Sequence, residues 1–372
     1  MLSNSIFKRE ERAIFDLRQL YCAYGYTRYK VSKFEEYDLY AHNKSFLVSE
    51  NVLTFTDTNG KLMALKPDVT LSIVKNVDLD LIKTHKVYYN ETVYRTASGS
   101  DGFREIMQTG LECIGEIDLY AICEVLMLAE RSLALICENS ILDLSHMGFV
   151  RGLLEEAGVA DADVPRVLGL IGNKNVSELR AYCIKNGVSD AMTQTICRVT
   201  DLYAPLDRAL SEIEPLVCGE KMQAAYRELC EVADVMRRYG NANRLYLDFS
   251  MVQDMRYYNG IVFRGYINGL PDSILSGGRY DKLIRKMGKS GGAIGFAVYL
   301  DALERLDGSA DAYDADVLLV CSDDVPAADV IERVEALRRA GKSVRVSRGD
   351  ENAARCRETL RLDADLRGGD GQ

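Results

Sequence analysis

Gln108, Gly110 and Glu112 alternate within residues 103–115, and their types and spacing suit ligand chemistry. On a strand, alternate residues share a face, so these line one side while Met107, Leu111 and Cys113 line the other. An amide and a carboxylate flanking a glycine suit a sheet floor on which a small polar ligand lies close to backbone. Arg95 and Arg104 add guanidinium groups that pair with carboxylates, and a carboxylate accepts an imidazole N–H. Taken alone, the alternation describes a solvent-facing polar stripe more often than a ligand floor. Lys66-Pro67-Asp68-Val69-Thr70 supplies another carboxylate and a hydroxyl, in a sequence that also makes a plain turn. Tyr257 and Tyr258 could wall a pocket, although a tyrosine pair on a strand is more often cross-strand packing.

The elements that must position these groups follow from hydrophobic period. Phe7, Ile14, Leu17, Leu20 and Tyr21 recur at helical spacing over residues 7–26, and Gly25 ends the run. Strand patterns follow at 51–56 and 61–65, joined by the turn signal Asn59-Gly60, and a strand pair or strand edge is expected within 79–93. A strand over 103–115 leads into a long helix over 119–138. From about 149 to 240 the pattern is helical, as an insertion between two parts of one antiparallel sheet. Strand patterning returns at 244–268, a short helix follows Ser276-Gly277-Gly278-Arg279-Tyr280, and residues 293–306 read as a final core helix. The class is α+β. Residues 1–306 form the expected core, 307–313 a linker, and 314–372 a short βαβ segment with a frayed tail.

Bulk properties narrow the function classes. A 372-residue chain with 47% hydrophobic and 27% charged residues holds one large core or a few domains. The longest apolar run is broken by Glu130 and Arg131, so no membrane span is expected, and no basic-then-apolar leader opens the sequence. Ten cysteines lack ligand spacing and only three histidines occur, which predicts reduced thiols in a cytosolic protein and no metal site or cofactor. A net charge of −10, with cations interleaved among acids, predicts no nucleic-acid partner.

Two segments, Lys86 to Gly115 and Met251 to Phe263, resemble the core of the class II histidyl-tRNA synthetases. Arg95, Phe103-Arg104 and Gln108-x-Gly110-x-Glu112 are similar to that family's motif 2. Lys66-Pro67-Asp68-Val69-Thr70 resembles its Arg-Pro-Glu-Gly-Thr loop, and the Tyr257-Tyr258-x-Gly260 run resembles its histidine signature, Arg-Gly-Leu-Asp-Tyr-Tyr-Thr-Gly. The resemblance implies an antiparallel class II sheet flanked by helices and a histidine-like pocket of Asp68, Thr70, Arg95, Gln108, Glu112, Tyr257 and Tyr258. Asp68 and Gln108 would meet the ligand's ammonium, Glu112 would orient its imidazole, and Arg95 would face its carboxylate.

The departures carry as much weight. Gln253 replaces the arginine that opens the histidine signature, and Thr96-Ala97-Ser98 replaces His-Glu-Arg in motif 2. Motif 3, Gly-Phe-x-x-Gly-Leu-Glu-Arg, appears as Gly295-Phe296-Ala297-Val298-Tyr299-Leu300-Asp301-Ala302, with Arg305 three residues beyond its lost arginine. Ser32 replaces the motif 1 proline, while Glu35 matches its acid. Without those cations a reacting triphosphate is poorly stabilised. The pattern resembles the synthetase-like regulatory subunits of ATP phosphoribosyltransferase. That resemblance implies a non-catalytic protein with a dimeric core, a short catalytic subunit as partner, and histidine as effector. The complex would open histidine biosynthesis by joining ATP and PRPP. The alternative is a divergent histidyl-tRNA synthetase in which Arg104 and Arg256 stand in for the missing arginines; a third reading is a regulator of some other pathway.

Overall fold

A computed structural model describes residues 8–47, 51–79, 83–96, 102–240, 242–252, 257–306, 313–349 and 353–363. The chain divides into two compact units, Met1–Leu306 and Asp307–Gln372.

A nine-stranded, largely antiparallel sheet organises the first unit. Its strands run in the order Thr27–Arg28, Thr84–Thr96, Phe103–Gly115, Gly292–Tyr299, Leu275–Arg279, Ile261–Ile267, Ser140–His146, Leu245–Leu247 and Ala204–Pro205. Only Thr27–Arg28 against Thr84–Thr96, and Ser140–His146 against Leu245–Leu247, pair in parallel. Thr84–Thr96 is one long strand, paired along its whole length with Phe103–Gly115.

The sheet buries one face against helices Arg9–Ala23 and Leu119–Ile136. Leu111, Cys113, Phe263, Phe296 and Val298 point into that core, where they meet Leu17, Tyr21, Leu126 and Leu133. The Leu119–Ile136 helix begins where Asp118 Oδ1 accepts from the Ala121 amide at 2.9 Å, satisfying one of the first-turn N–H groups that lack a partner in the helix. Among the described residues, six α-helices lie between Ser140–His146 and Leu245–Leu247, from Met147–Glu156 to Gly219–Tyr239. Asn175 and Ser189 cap two of them through side-chain oxygens.

Residues 293–306 are not a helix. They form the Gly292–Tyr299 strand and a 3-10 turn, Asp301–Arg305. A central strand covered on both faces is apolar at nearly every position, so its period cannot be told from that of a buried helix. Ala293, Ile294, Phe296 and Val298 are all fully or almost fully buried here.

In the second unit, Ala315–Cys321, Ala327–Arg339 and Val344–Arg348 make the βαβ unit. The tail expected to fray adds a third parallel strand, Cys356–Leu362, beside Ala315–Cys321. Cys356, Leu360 and Leu362 share one phase of the strand, but Glu358 interrupts that row and obscures the period of two. Residues 307–312 of the expected linker lie outside the described residues. No helix among the described residues is long and apolar enough to cross a membrane.

Candidate functional site

The sheet face opposite the helices floors a cavity of about 500 Å³, within the range typical of small-molecule sites. All seven residues of the expected pocket line it: Asp68, Thr70, Arg95, Gln108, Glu112, Tyr257 and Tyr258. Strand register explains the floor. Glu112 lies opposite Gly295, and Gly295 opposite Gly278, so a carboxylate is followed by two positions without side chains. A Cβ on Gly295 would overlap the Glu112 carboxylate, and one on Gly278 would come within 2.7 Å of the Tyr258 ring. Glycine there makes room for the groups that define the pocket.

Glu112 is 2% exposed, and its oxygens accept from Thr70 Oγ1 at 2.7 Å and Tyr280 OH at 2.5 Å. Burial pushes its carboxyl up to about 8, with the Asp68 charge acting in the same direction against the two hydroxyls. Asp68 Oδ1 accepts from the Leu71 amide at 2.8 Å, and Oδ2 lies 3.8 Å from Arg95 Nη2. Burial raises the Asp68 pKa, and the Arg95 charge works against that rise. Arg95 also donates from Nε to the Pro67 carbonyl at 2.7 Å.

The loop bearing Asp68 is fixed from beneath. Lys66 is fully buried and donates to Glu91 Oε2 at 2.5 Å, while the Tyr94 amide donates to the Lys66 carbonyl at 3.0 Å. The lysine therefore clips the loop to the Thr84–Thr96 strand. Gln108 is 2% exposed, and its Nε2 has no hydrogen-bond partner among the described residues. A buried donor left without a partner is costly, and a ligand acceptor would satisfy it. Tyr257 and Tyr258 meet edge-on with ring centroids 4.7 Å apart, and Tyr257 also packs against Tyr280 and Phe46. Together they form an aromatic wall beside the acids.

Among the side chains of this cavity that the family motifs do not supply are Tyr280, Tyr299 and Arg264. Tyr280 holds Glu112, and the preceding run Gly277-Gly278-Arg279 was the available signal in the sequence. Tyr299 occupies the second glycine of motif 3, and its hydroxyl meets Ser276 Oγ at 2.8 Å. A phenol where the pattern has no side chain narrows the end of the cavity that motif 3 borders. Arg264 alternates with the buried Phe263 and Gly265, and so faces the cavity.

Other expected residues lie elsewhere. Arg104 is exposed and shares a separate depression with Glu105, Asp301, Glu304 and Arg305. Arg305 pairs with Asp272 at 3.5 Å and does not line the cavity. Ser32 is exposed, and Glu35 accepts from Lys75 Nζ at 2.9 Å. Ala97, Ser98, Gln253 and Arg256 lie outside the described residues.

The described groups have the chemistry to suit a small cation or zwitterion. Two carboxyl groups, a glutamine whose Nε2 has no acceptor among the described residues, and several tyrosines converge, and the Arg95 guanidinium is already paired with Asp68. Comparison with known proteins agrees in fold and family. A regulatory subunit of ATP phosphoribosyltransferase from Clostridium acetobutylicum is 26% identical over 341 residues, covering 89% of this chain and 84% of that one. The crystal structure of an ATP phosphoribosyltransferase regulatory subunit/histidyl-tRNA synthetase from Bacillus halodurans superposes with TM-score 0.77 at 23% identity, covering 95% and 94% of the two chains. A chain of the ATP phosphoribosyl transferase complex of Thermotoga maritima gives TM-score 0.63 at 19% identity, covering 78% and 97%. The histidyl-tRNA synthetase family model matches residues 2–303, and the chain belongs to that family.

Proposed function

We propose that this chain is the non-catalytic regulatory subunit of an ATP phosphoribosyltransferase. It acts in the cytosol with a short catalytic subunit and reports histidine through its cavity. The observation that carries this reading is the pairing of two buried carboxylates, Asp68 and Glu112, in one cavity with a guanidinium that Asp68 already offsets. Such a site suits an ammonium or imidazole, and beside the acids it offers a reacting triphosphate no uncompensated positive charge. The regulatory subunit from Clostridium and the phosphoribosyl transferase complex from Thermotoga support the same partner.

A bound amino acid regulates only by favouring one state of the assembly over another, since equal affinity for both shifts nothing. In this reading histidine fills the pocket of Asp68, Thr70, Arg95, Gln108, Glu112, Tyr257 and Tyr258. The class II core pairs with a second copy of itself, and the Asp307–Gln372 unit corresponds to the start of an anticodon-binding domain. The test is reconstitution. Mixing this chain with a short-form catalytic subunit should switch on formation of phosphoribosyl-ATP from ATP and PRPP, and histidine should lower that rate. Unchanged activity of the catalytic subunit in the presence of this chain would overturn the proposal.

A further inference from the structure

Charge is divided across the cavity. Its acids, Asp68 and Glu112, stand with Arg95 at the end formed by the 66–70 loop and the Phe103–Gly115 strand. Arg95 is occupied there, with Nε on the Pro67 carbonyl and Nη2 facing Asp68. A ligand carboxylate placed beside Arg95 would therefore also meet the Asp68 charge.

The opposite end is built differently. Arg264 on Ile261–Ile267 is directly opposite Ser276 on Leu275–Arg279, and Ser276 is directly opposite Ala297 on Gly292–Tyr299. The small Ala297 leaves the row open toward the acids. Ser276 is hydrogen-bonded to Tyr299, and with Ser273 these hydroxyls line the same end as Arg264. This end is a set of donors: one guanidinium and three hydroxyls. Behind Arg264, on its other neighbouring strand, lies Asp143, whose register partner it is. Asp143 is buried, accepts from Tyr203 OH at 3.2 Å, and sits beside Asp248, which Lys174 holds at 3.2 Å. The charges of Asp143 and Arg264 attract each other across the two strands.

The spacing fits a single amino acid. Glu112 leans over Gly295, which leaves two inter-strand steps, roughly 10 Å, to the strand carrying Arg264. An arginine side chain reaching inward and one extended amino acid bridge that gap. We infer that Arg264, which none of the family motifs contains, receives the carboxylate of the amino-acid ligand whose cationic end lies against Asp68 and Glu112. The inference rests on the proposed histidine-binding role and adds the residue that distinguishes an amino acid from its decarboxylated or reduced analogue.

Calorimetric titration of the full chain with histidine and with histidinol tests it. Histidinol keeps the imidazole and ammonium and lacks the carboxylate. The unaltered chain should bind histidine on the order of 10- to 100-fold more tightly, as expected for a charge-assisted contact. Arg264→Gln should bring that ratio close to one by weakening histidine while leaving histidinol within about threefold. Arg264→Lys, which keeps the charge without the planar fork, should give an intermediate ratio. Equal binding of the two ligands by the unaltered chain overturns the inference without any variant. So does an unchanged ratio in a folded Arg264→Gln protein. Absence of histidine binding altogether removes the histidine reading itself, and this inference with it.

Discussion

Tyr280 donates its hydroxyl to Glu112 Oε2 at 2.5 Å, joining residues 168 positions apart in the sequence. The contact fixes a carboxylate over Gly295 in a place where burial raises its pKa from 4.5 to about 8. Near neutral pH the carboxyl is therefore largely protonated.

Stability should respond to that shift. Below about pH 4.5 folded and unfolded chains both hold the proton, and above about pH 8 neither does. Between those limits the folded chain alone retains it, so this residue's contribution to stability falls as pH rises across the window. Asp68, whose pKa is also raised by burial, acts in the same sense. Glu112→Gln should remove much of the slope and gain relative to the unaltered chain on going from pH 5 to pH 8. Each pKa unit corresponds to about 1.4 kcal/mol, so the full effect reaches a few kcal/mol at most. Urea midpoints across that range would show it, and parallel profiles for the two proteins would contradict it.

Ligand binding should release protons. An ammonium, already cationic in solution, set against Glu112 favours the ionised carboxylate, whose proton must then pass to the buffer on complex formation. Histidine titrations at pH 7 in buffers of different ionisation enthalpy should give different apparent heats, and Glu112→Gln should reduce that dependence. Buffer-independent heats in the unaltered chain would place the ligand's cation elsewhere.

Gly295→Ala should weaken histidine at some cost in stability, since its Cβ also meets the Leu111 carbonyl. The added methyl overlaps Glu112 Oε2, so the carboxylate must leave Tyr280 or Thr70. Loss of an organised charged contact predicts a drop of about tenfold or more in affinity. Unchanged affinity in a folded variant would mean that Glu112 does not face the ligand.

Lys66→Met should destabilise the chain strongly. It leaves Glu91, 13% exposed at its side chain, without its cation. Breaking one partner of a buried pair costs roughly 3–5 kcal/mol, and Lys66→Met combined with Glu91→Leu should recover much of the loss. Chemical denaturation of the two variants would measure both effects, and a mild single-variant loss would make the clip dispensable.

Much of the site was legible because its residues sit on strands whose period is two. Alternation alone puts Gln108, Gly110 and Glu112 on one face, and that face is the cavity floor. Alternation could not tell a buried polar face from a solvated one; the family motifs supplied that distinction. Arg264 also alternates toward the cavity, but only the pairing of its strand with the Ser276 strand makes it a neighbour of the other site groups. Such non-local register is not written in a local pattern. The same limit turned the Gly292–Tyr299 strand into an expected helix, since a strand covered on both faces loses its period. The Cys356–Leu362 strand was hidden for a different reason: Glu358 breaks its apolar alternation, and exposed charges dominate the segment.

The central claim is that this cavity holds histidine without activating it. Histidine-dependent exchange of pyrophosphate into ATP by the purified chain, at histidine concentrations shown by calorimetry to saturate it, tests that claim most directly. Exchange no faster than a blank lacking protein is the predicted result. Exchange at the rate of a working synthetase would contradict the claim and make the chain an amino-acid-activating enzyme.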